Sequence, residues 1–303
     1  MRTRTRRGPI CVLAAGLMLV AVSAACGQTK WPAALSFSIG VSTDDTARIQ
    51  TSAALLGPIG ENLGAKVEGW WIAGGSESRG FVGDAYLDYN KAPVYLAGGR
   101  KLVVFGPAGI LVSPGISGGE VKLDFDRISL QAIAGSLAFT PVTGGTRFTF
   151  AGNRSPSNED IRAGRVELRL TDPASAVPVT VGLNALDLMD ETGHSGDITI
   201  AANEWLTLFG ESADFDDLEA NAYGVRYSNL RLRADPSTYT MVTLYHRKVP
   251  IGFVPAAVGA TQYFEDQTGW VLGIYHQLGQ NRGVGLYADK NDEIVSFFQY
   301  VPL

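Results

Sequence analysis

Residues 80–137 read GFVGDAYLDYNKAPVYLAGGRKLVVFGPAGILVSPGISGGEVKLDFDRISLQAIAGSL. Near its end Val121, Leu123 and Phe125 alternate with Glu120, Lys122 and Asp124. Successive side chains of a strand face opposite sides, so this is a strand with one apolar and one charged face. After Asp126-Arg127 the alternation restarts, with Ile128, Leu130, Ala132 and Ala134 set against Ser129 and Gln131. Together they spell a hairpin with a tight turn at Asp126-Arg127. Gly, Pro and Asn divide the stretch into short runs of this kind.

The same grammar recurs along the chain. Arg147, Thr149 and Ala151 alternate with Phe148 and Phe150, and Arg165, Glu167 and Arg169 with Val166, Leu168 and Leu170. Val179, Val181 and Leu183 oppose Thr180, Gly182 and Asn184, while Val225 and Tyr227 face away from Arg226. Leu230 and Leu232 likewise oppose Arg231 and Arg233. About 15 to 17 runs qualify as strands, no helical periodicity persists, and one closed or stacked β-architecture is expected. Closure is preferred because these runs would otherwise present long bare edges. The acidic stretches Asp187–Asp197 and Glu211–Glu219 lack calcium-loop spacing and are expected to be solvated loops.

Alternation alone does not separate a soluble sandwich, with apolar faces inward, from a membrane barrel, with apolar faces outward. Three features favour the barrel. The apolar residues are spread over many short strands, Gly and Ala are frequent on both faces, and aromatic residues recur near strand ends. Trp70-Trp71, Tyr86, Trp205, Tyr245, Trp270, Tyr287 and Tyr300 are the candidates for interfacial girdles.

The first residues carry Arg2, Arg4, Arg6 and Arg7, then an apolar run from Ile10 to Val22, then Ser23-Ala24-Ala25. This is the layout of a signal peptide over residues 1–27, removed after Ala25 or Gly27. Residues 28–303 then form a single barrel domain. Cys26 after small residues also offers a lipid-anchor site, although Ser23 replaces the leucine-like residue such sites carry. Both cysteines, Cys11 and Cys26, lie in this region, so no disulfide and no cysteine metal site is expected in the barrel. Without the leader the chain carries 21 basic and 30 acidic residues, which disfavours nucleic acid as a partner. His194, His246 and His276 have no Ser-His-acid or metal spacing, so neither an enzyme nor a cofactor is expected.

Ala85-Tyr86-Leu87-Asp88-Tyr89-Asn90, Leu96-Ala97-Gly98-Gly99-Arg100-Lys101 and Phe105-Gly106-Pro107 resemble bacterial outer-membrane porins. More narrowly, they are similar to the alginate-export and phosphate-selective porin-like families. Those families carry Gly-Arg-Gln on a strand, then Phe-Gly and a long loop, then an acidic-aromatic strand. Here Lys101 stands where they have Gln, and Phe125-Asp126-Arg127 stands for the last motif. The chain ends Tyr300-Val301-Pro302-Leu303 where those families end in an aromatic residue. The resemblance implies a single-chain porin barrel and does not carry a substrate with it.

The expectation is therefore an all-β transmembrane antiparallel barrel of about 14–16 strands in the cell outer membrane. It would contact outer-membrane lipid and pass small hydrophilic solutes or ions by diffusion, alone or as a homo-oligomer. The alternative is a non-conducting envelope barrel or sandwich with a structural or binding role. Candidate pore-lining residues are Arg100, Lys101, Lys122, Asp124, Arg147, Arg165, Glu167, Arg169, Arg226, Arg231 and Arg233, with Asp84 and Asp88 as further acids. Counting from Ala34, the strand through Gly99-Arg100 is the fifth, so Gly106–Gly119 would be the third outer loop. The stretch is uncharged before Glu120, rich in Gly and stiffened by Pro107 and Pro114. It could pack against a wall without desolvating a charge, and Pro107, Ile110, Leu111 and Pro114 are its constriction candidates. The alternative is a loop at the rim.

Overall fold

A computed structural model describes residues 33–41, 47–74, 77–113, 115–138, 159–172, 175–229, 238–253, 268–279, 282–288 and 294–300. Sixteen antiparallel strands run in sequence order. They are β1 (Ala33–Val41), β2 (Ala47–Pro58), β3 (Leu63–Gly74), β4 (Glu77–Lys91), β5 (Val94–Leu102), β6 (Gly115–Asp124), β7 (Ile128–Leu137) and β8 (Asp160–Arg169). Then follow β9 (Val179–Leu188), β10 (Glu191–Ala201), β11 (Leu206–Phe215), β12 (Leu218–Ser228), β13 (Thr240–Lys248), β14 (Gly269–Gly279), β15 (Arg282–Ala288) and β16 (Ile294–Tyr300). Each strand pairs with its sequence neighbours and β1 pairs with β16, Leu35 opposite Tyr300, so the sheet closes. No strand of the described barrel is left with a bare edge.

Closure decides the question that alternation left open. Leu130, Val166 and Leu183 are register neighbours on the outer face, and Val166 and Leu183 are 41% and 59% exposed. Their sequence neighbours Gln131, Arg165 and Asn184 form the row on the inner face, where Arg165 and Asn184 are buried. Apolar residues outside and polar residues inside is the inverse of a soluble sandwich and the pattern of a barrel in lipid. Aromatic groups sit on the outer face. Trp205 lies against Tyr227, and Tyr223, His246 and Trp270 form a second cluster with centroid separations of 5.4–6.5 Å. Two of the expected girdle residues face inward instead. Tyr245 is buried, and the Lys101 ammonium lies over the Tyr86 ring. Their strand parity, rather than their nearness to a strand end, sets their side. The side chains of Trp70, Trp71, Tyr287 and Tyr300 lie outside the described side chains.

The two acidic stretches read as loops are hairpins. The β9–β10 turn is Met189-Asp190, with φ 58° and 64°, and the β11–β12 turn is Asp216-Asp217, with φ 48° and 60°. Two successive positive φ values make the turn that matches the twist of adjoining strands, and Asp tolerates that region. Neither turn contains the glycine that would have announced it.

One consequence is directly measurable. Val166→Arg places a cation on the outer apolar face and is expected to destabilise the folded barrel by roughly 2–4 kcal/mol. The denaturant midpoint of the heat-modifiable folded form reads this. A shift as small as that of Ala176→Arg, in an exposed connection, would show that this face does not meet lipid.

Candidate functional site

The connections at the end of the barrel where β1 starts are mostly short, such as 59–62, 92–93 and 125–127. At the other end, β5 and β6 are joined by residues 103–114, the third connection on that side. This segment turns inward. Val103, Phe105, Ala108, Ile110, Leu111, Val112 and Ser113 are all buried. Phe105 N–H donates to the Val112 carbonyl at 2.8 Å, closing the segment into a compact strap. The strap packs with Ile116, Ile133, Ile161, Leu186 and Leu188 of the inner wall, and with Phe209, Ala213 and Phe215 of β11. Phe253, beyond β13, joins them with its ring 6.4 Å from that of Phe215.

The expected loop, Gly106–Gly119, was too long at one end. Gly115 to Gly119 belong to β6, where Ile116 points inward and is fully buried. Ile110 and Leu111, expected to narrow an opening, are 3% and 1% exposed and press against the wall. Val104 is exposed, and Gly106 and Pro107 are partly so; they are the strap's described surface. Pro114 lies outside the described residues.

The other half of the inner surface is charged and heavily paired. Lys66 meets Asp84 at 2.6 Å and Glu68 at 3.3 Å. Lys101 pairs with Glu120 and donates to the Tyr95 hydroxyl at 3.0 Å, while Gln131 donates to Glu120 at 2.5 Å. Arg169 donates to Asp124 at 2.6 Å and to the Phe125 carbonyl at 2.6 Å, and Lys122 lies 3.8 Å from Asp124.

Arg165 holds the centre. Its guanidinium donates to both Asp197 oxygens at 2.5 and 3.1 Å, to Asn184 at 2.9 Å and to Glu167 at 3.0 Å. Asn184 in turn donates to Ser195 at 2.7 Å. Arg165 is on β8 and Asp197 on β10, so the pair must reach across β9. It does so over Gly182, the register partner of both Glu167 and Asp197. A Cβ at Gly182 would collide with the guanidinium and with the Asp197 carboxylate. Glycine there is the gap through which the pair forms.

Of the sequence candidates, six thus face inward in three bonded groups: Lys101 with Glu120, Lys122 and Arg169 with Asp124, and Arg165 with Glu167 and Asp197; Asp84 forms a fourth with Lys66. Arg226 also faces inward, its guanidinium 5.8 Å from the Phe209 ring centroid. Arg100 does not accompany Lys101. The two are adjacent on β5, and Arg100 is in register with Ser117 while Lys101 is in register with inward Ile116. Successive strand residues alternate sides, so this register sets Arg100 on the face of β5 away from Lys101. Arg147, Arg231, Arg233 and Cys26, with the whole of residues 1–27, lie outside the described residues.

The candidate list lacks several inner residues that the structure brings in, among them Lys66, Glu68, Glu120, Asn184, Asp197 and Glu211. The last two lie in the acidic stretches expected to be solvated loops. Their signal was there: Gly193, Ser195, Asp197 and Thr199 alternate with Ile198 and Ile200, as Phe209, Glu211 and Ala213 do with Leu208 and Gly210. Among the described residues no group of His, Cys, Asp and Glu is placed to hold a metal ion.

No protein-family model matches this chain, and no curated protein matches it in sequence. Solved structures do match in fold. The high-pH structure of Pseudomonas putida OprB has a TM-score of 0.54 at 11% identity, covering 90% of this chain and 93% of that one. The low-pH structure of the same protein gives 0.51 at 12% identity, covering 89% and 90%.

Proposed function

We propose that this protein is an outer-membrane channel through which small hydrophilic solutes or ions diffuse passively. The observation that carries this reading is the inverted barrel: a closed sheet of sixteen strands, apolar outside, with its charged residues paired on the inner face. A barrel of sixteen strands encloses room for an aqueous path, and a wetted wall of alternating charge suits ions and polar solutes. The strap 103–113 is the constriction, and Lys101, Lys122, Asp124, Arg165, Glu167, Arg169 and Arg226 belong to the wall it narrows. The likeness of Ala85–Pro107 to the alginate-export and phosphate-selective porin-like families agrees with this role. The fold shared with OprB at low identity supports the architecture. The leader expected in residues 1–27 supplies the route of export, and lipid is the partner of the outer face.

One observation favours the alternative of a non-conducting envelope barrel. The strap, Val249 and Phe253 join an apolar cluster inside the far half of the lumen, as a plug would. Reconstitution in planar bilayers separates the two readings. The channel reading expects discrete, ohmic conductance steps from protein whose gel mobility is heat-modifiable. Folded protein that leaves the bilayer silent at all voltages would overturn it.

A further inference from the structure

We infer that Glu211 is the residue that positions the strap across the lumen, and that the Gly106–Ile110 backbone is built as a cradle for its carboxylate. The inference rests on reading the strap as the constriction, and adds what holds it there.

Glu211 lies on the inner face of β11, six strands from the strap's origin on β5, and is 4% exposed. One carboxylate oxygen accepts from the Ala108 N–H at 3.0 Å and the Gly109 N–H at 2.9 Å. The other accepts from the Ile110 N–H at 2.9 Å. Three successive backbone donors converge on one side chain about a hundred residues away. That convergence requires Gly106 at φ 76° and Gly109 at φ 58°, a backbone that L side chains rarely adopt. Successive N–H groups turned to one side form a concave anion site, which is what this segment presents. A Cβ on Gly106 would stand 2.7 Å from the Glu211 carboxylate, so the cradle tolerates no side chain there.

The neighbouring strand adds to the demand for donors around Glu211. Its register partner on β10 is Asp197, a buried carboxylate on the same face. Like charges directly opposite across a sheet repel, and each buried carboxylate needs donors of its own. Asp197 has Arg165 and Asn184; Glu167 shares the same guanidinium. Arg247 lies in the same register row as Glu211, with Ala222 between. The strap supplies three donors to Glu211 and is held by them. Apolar packing buries the strap's side chains, and the cradle fixes where its backbone stops.

The test is a thiol at Ala108, in protein with Cys11 and Cys26 replaced by serine, probed by a charged maleimide on folded, reconstituted barrels. With Glu211 intact the thiol should react slowly. Glu211→Ala should accelerate labelling on the order of tenfold, because the strap's opening equilibrium loses its charged acceptor. Glu211→Asp, which keeps the carboxylate one methylene short, should recover part of the slow labelling. Gly106→Ala breaks the cradle from the strap side without touching the wall and should label as fast as Glu211→Ala. It decides the matter if Glu211→Ala does not fold. Wild-type labelling rates in a folded Glu211→Ala or Gly106→Ala barrel would overturn the inference. Faster labelling in variants that, like the parent, never conduct would uphold Glu211 as the holder of the strap and sink the channel reading instead.

Discussion

Deleting Pro107 to Val112 and joining the ends with a short Gly-Ser connection is expected to raise single-channel conductance several-fold with the barrel still closed. The strap reaches from β5 to β11, and on the proposed channel reading its backbone and Pro107 would stand in the path of a solute. Resistance of a pore is set at its narrowest section, so removing a transverse segment acts on the term that dominates. The deletion also uncovers Ile133, Ile161, Leu186 and Phe215 on the wall. Losing the burial of Ile110, Leu111 and Val112 costs roughly 1.5–3 kcal/mol for each side chain, so the variant should unfold at lower denaturant. The deletion must stop before Gly115, because Gly115–Asp124 is ladder-bonded to β5 and β7. A folded deletion variant with parental conductance would show that the strap does not set the width of the path.

Arg165→Met should be the most damaging single change on the inner wall. It leaves Asp197, whose side chain is 1% exposed, without its counter-charge beside a second buried carboxylate. Removing one partner of a buried pair typically costs about 3–5 kcal/mol, because the other charge stays behind unsolvated. The double variant Arg165→Met/Asp197→Leu removes both charges and should recover most of that loss. Urea midpoints of the folded form, compared across the two single variants and the double, measure the coupling. Equal losses in the single and double variants would mean that Asp197 reaches water or another donor, and that the pair over Gly182 is not what keeps it charged.

The strands are legible in the amino-acid order. Alternation through Glu120–Asp124 and Arg165–Arg169 needs only the two-residue period of an extended chain, which no tertiary contact alters. It also placed Arg100 on the fifth strand and the uncharged, glycine-bearing stretch after it third on its side, because antiparallel order counts by itself. What it left undetermined was which face is inside. Val166 and Arg165 are opposed in either a sandwich or a barrel, and only the pairing of β1 with β16 turns Arg165 inward and Val166 outward. The glycine-free turns at Met189-Asp190 and Asp216-Asp217 hid four strand segments' continuity, and with it the facing of Asp197 and Glu211. Those two carboxylates are distant from Arg165 and from Ala108–Ile110 in sequence, and their roles depend on neighbours brought in by closure. A local pattern can state that a carboxylate has an apolar neighbour on each side. Only the folded barrel supplies the guanidinium over Gly182 and the three backbone N–H groups that make burying those charges tolerable.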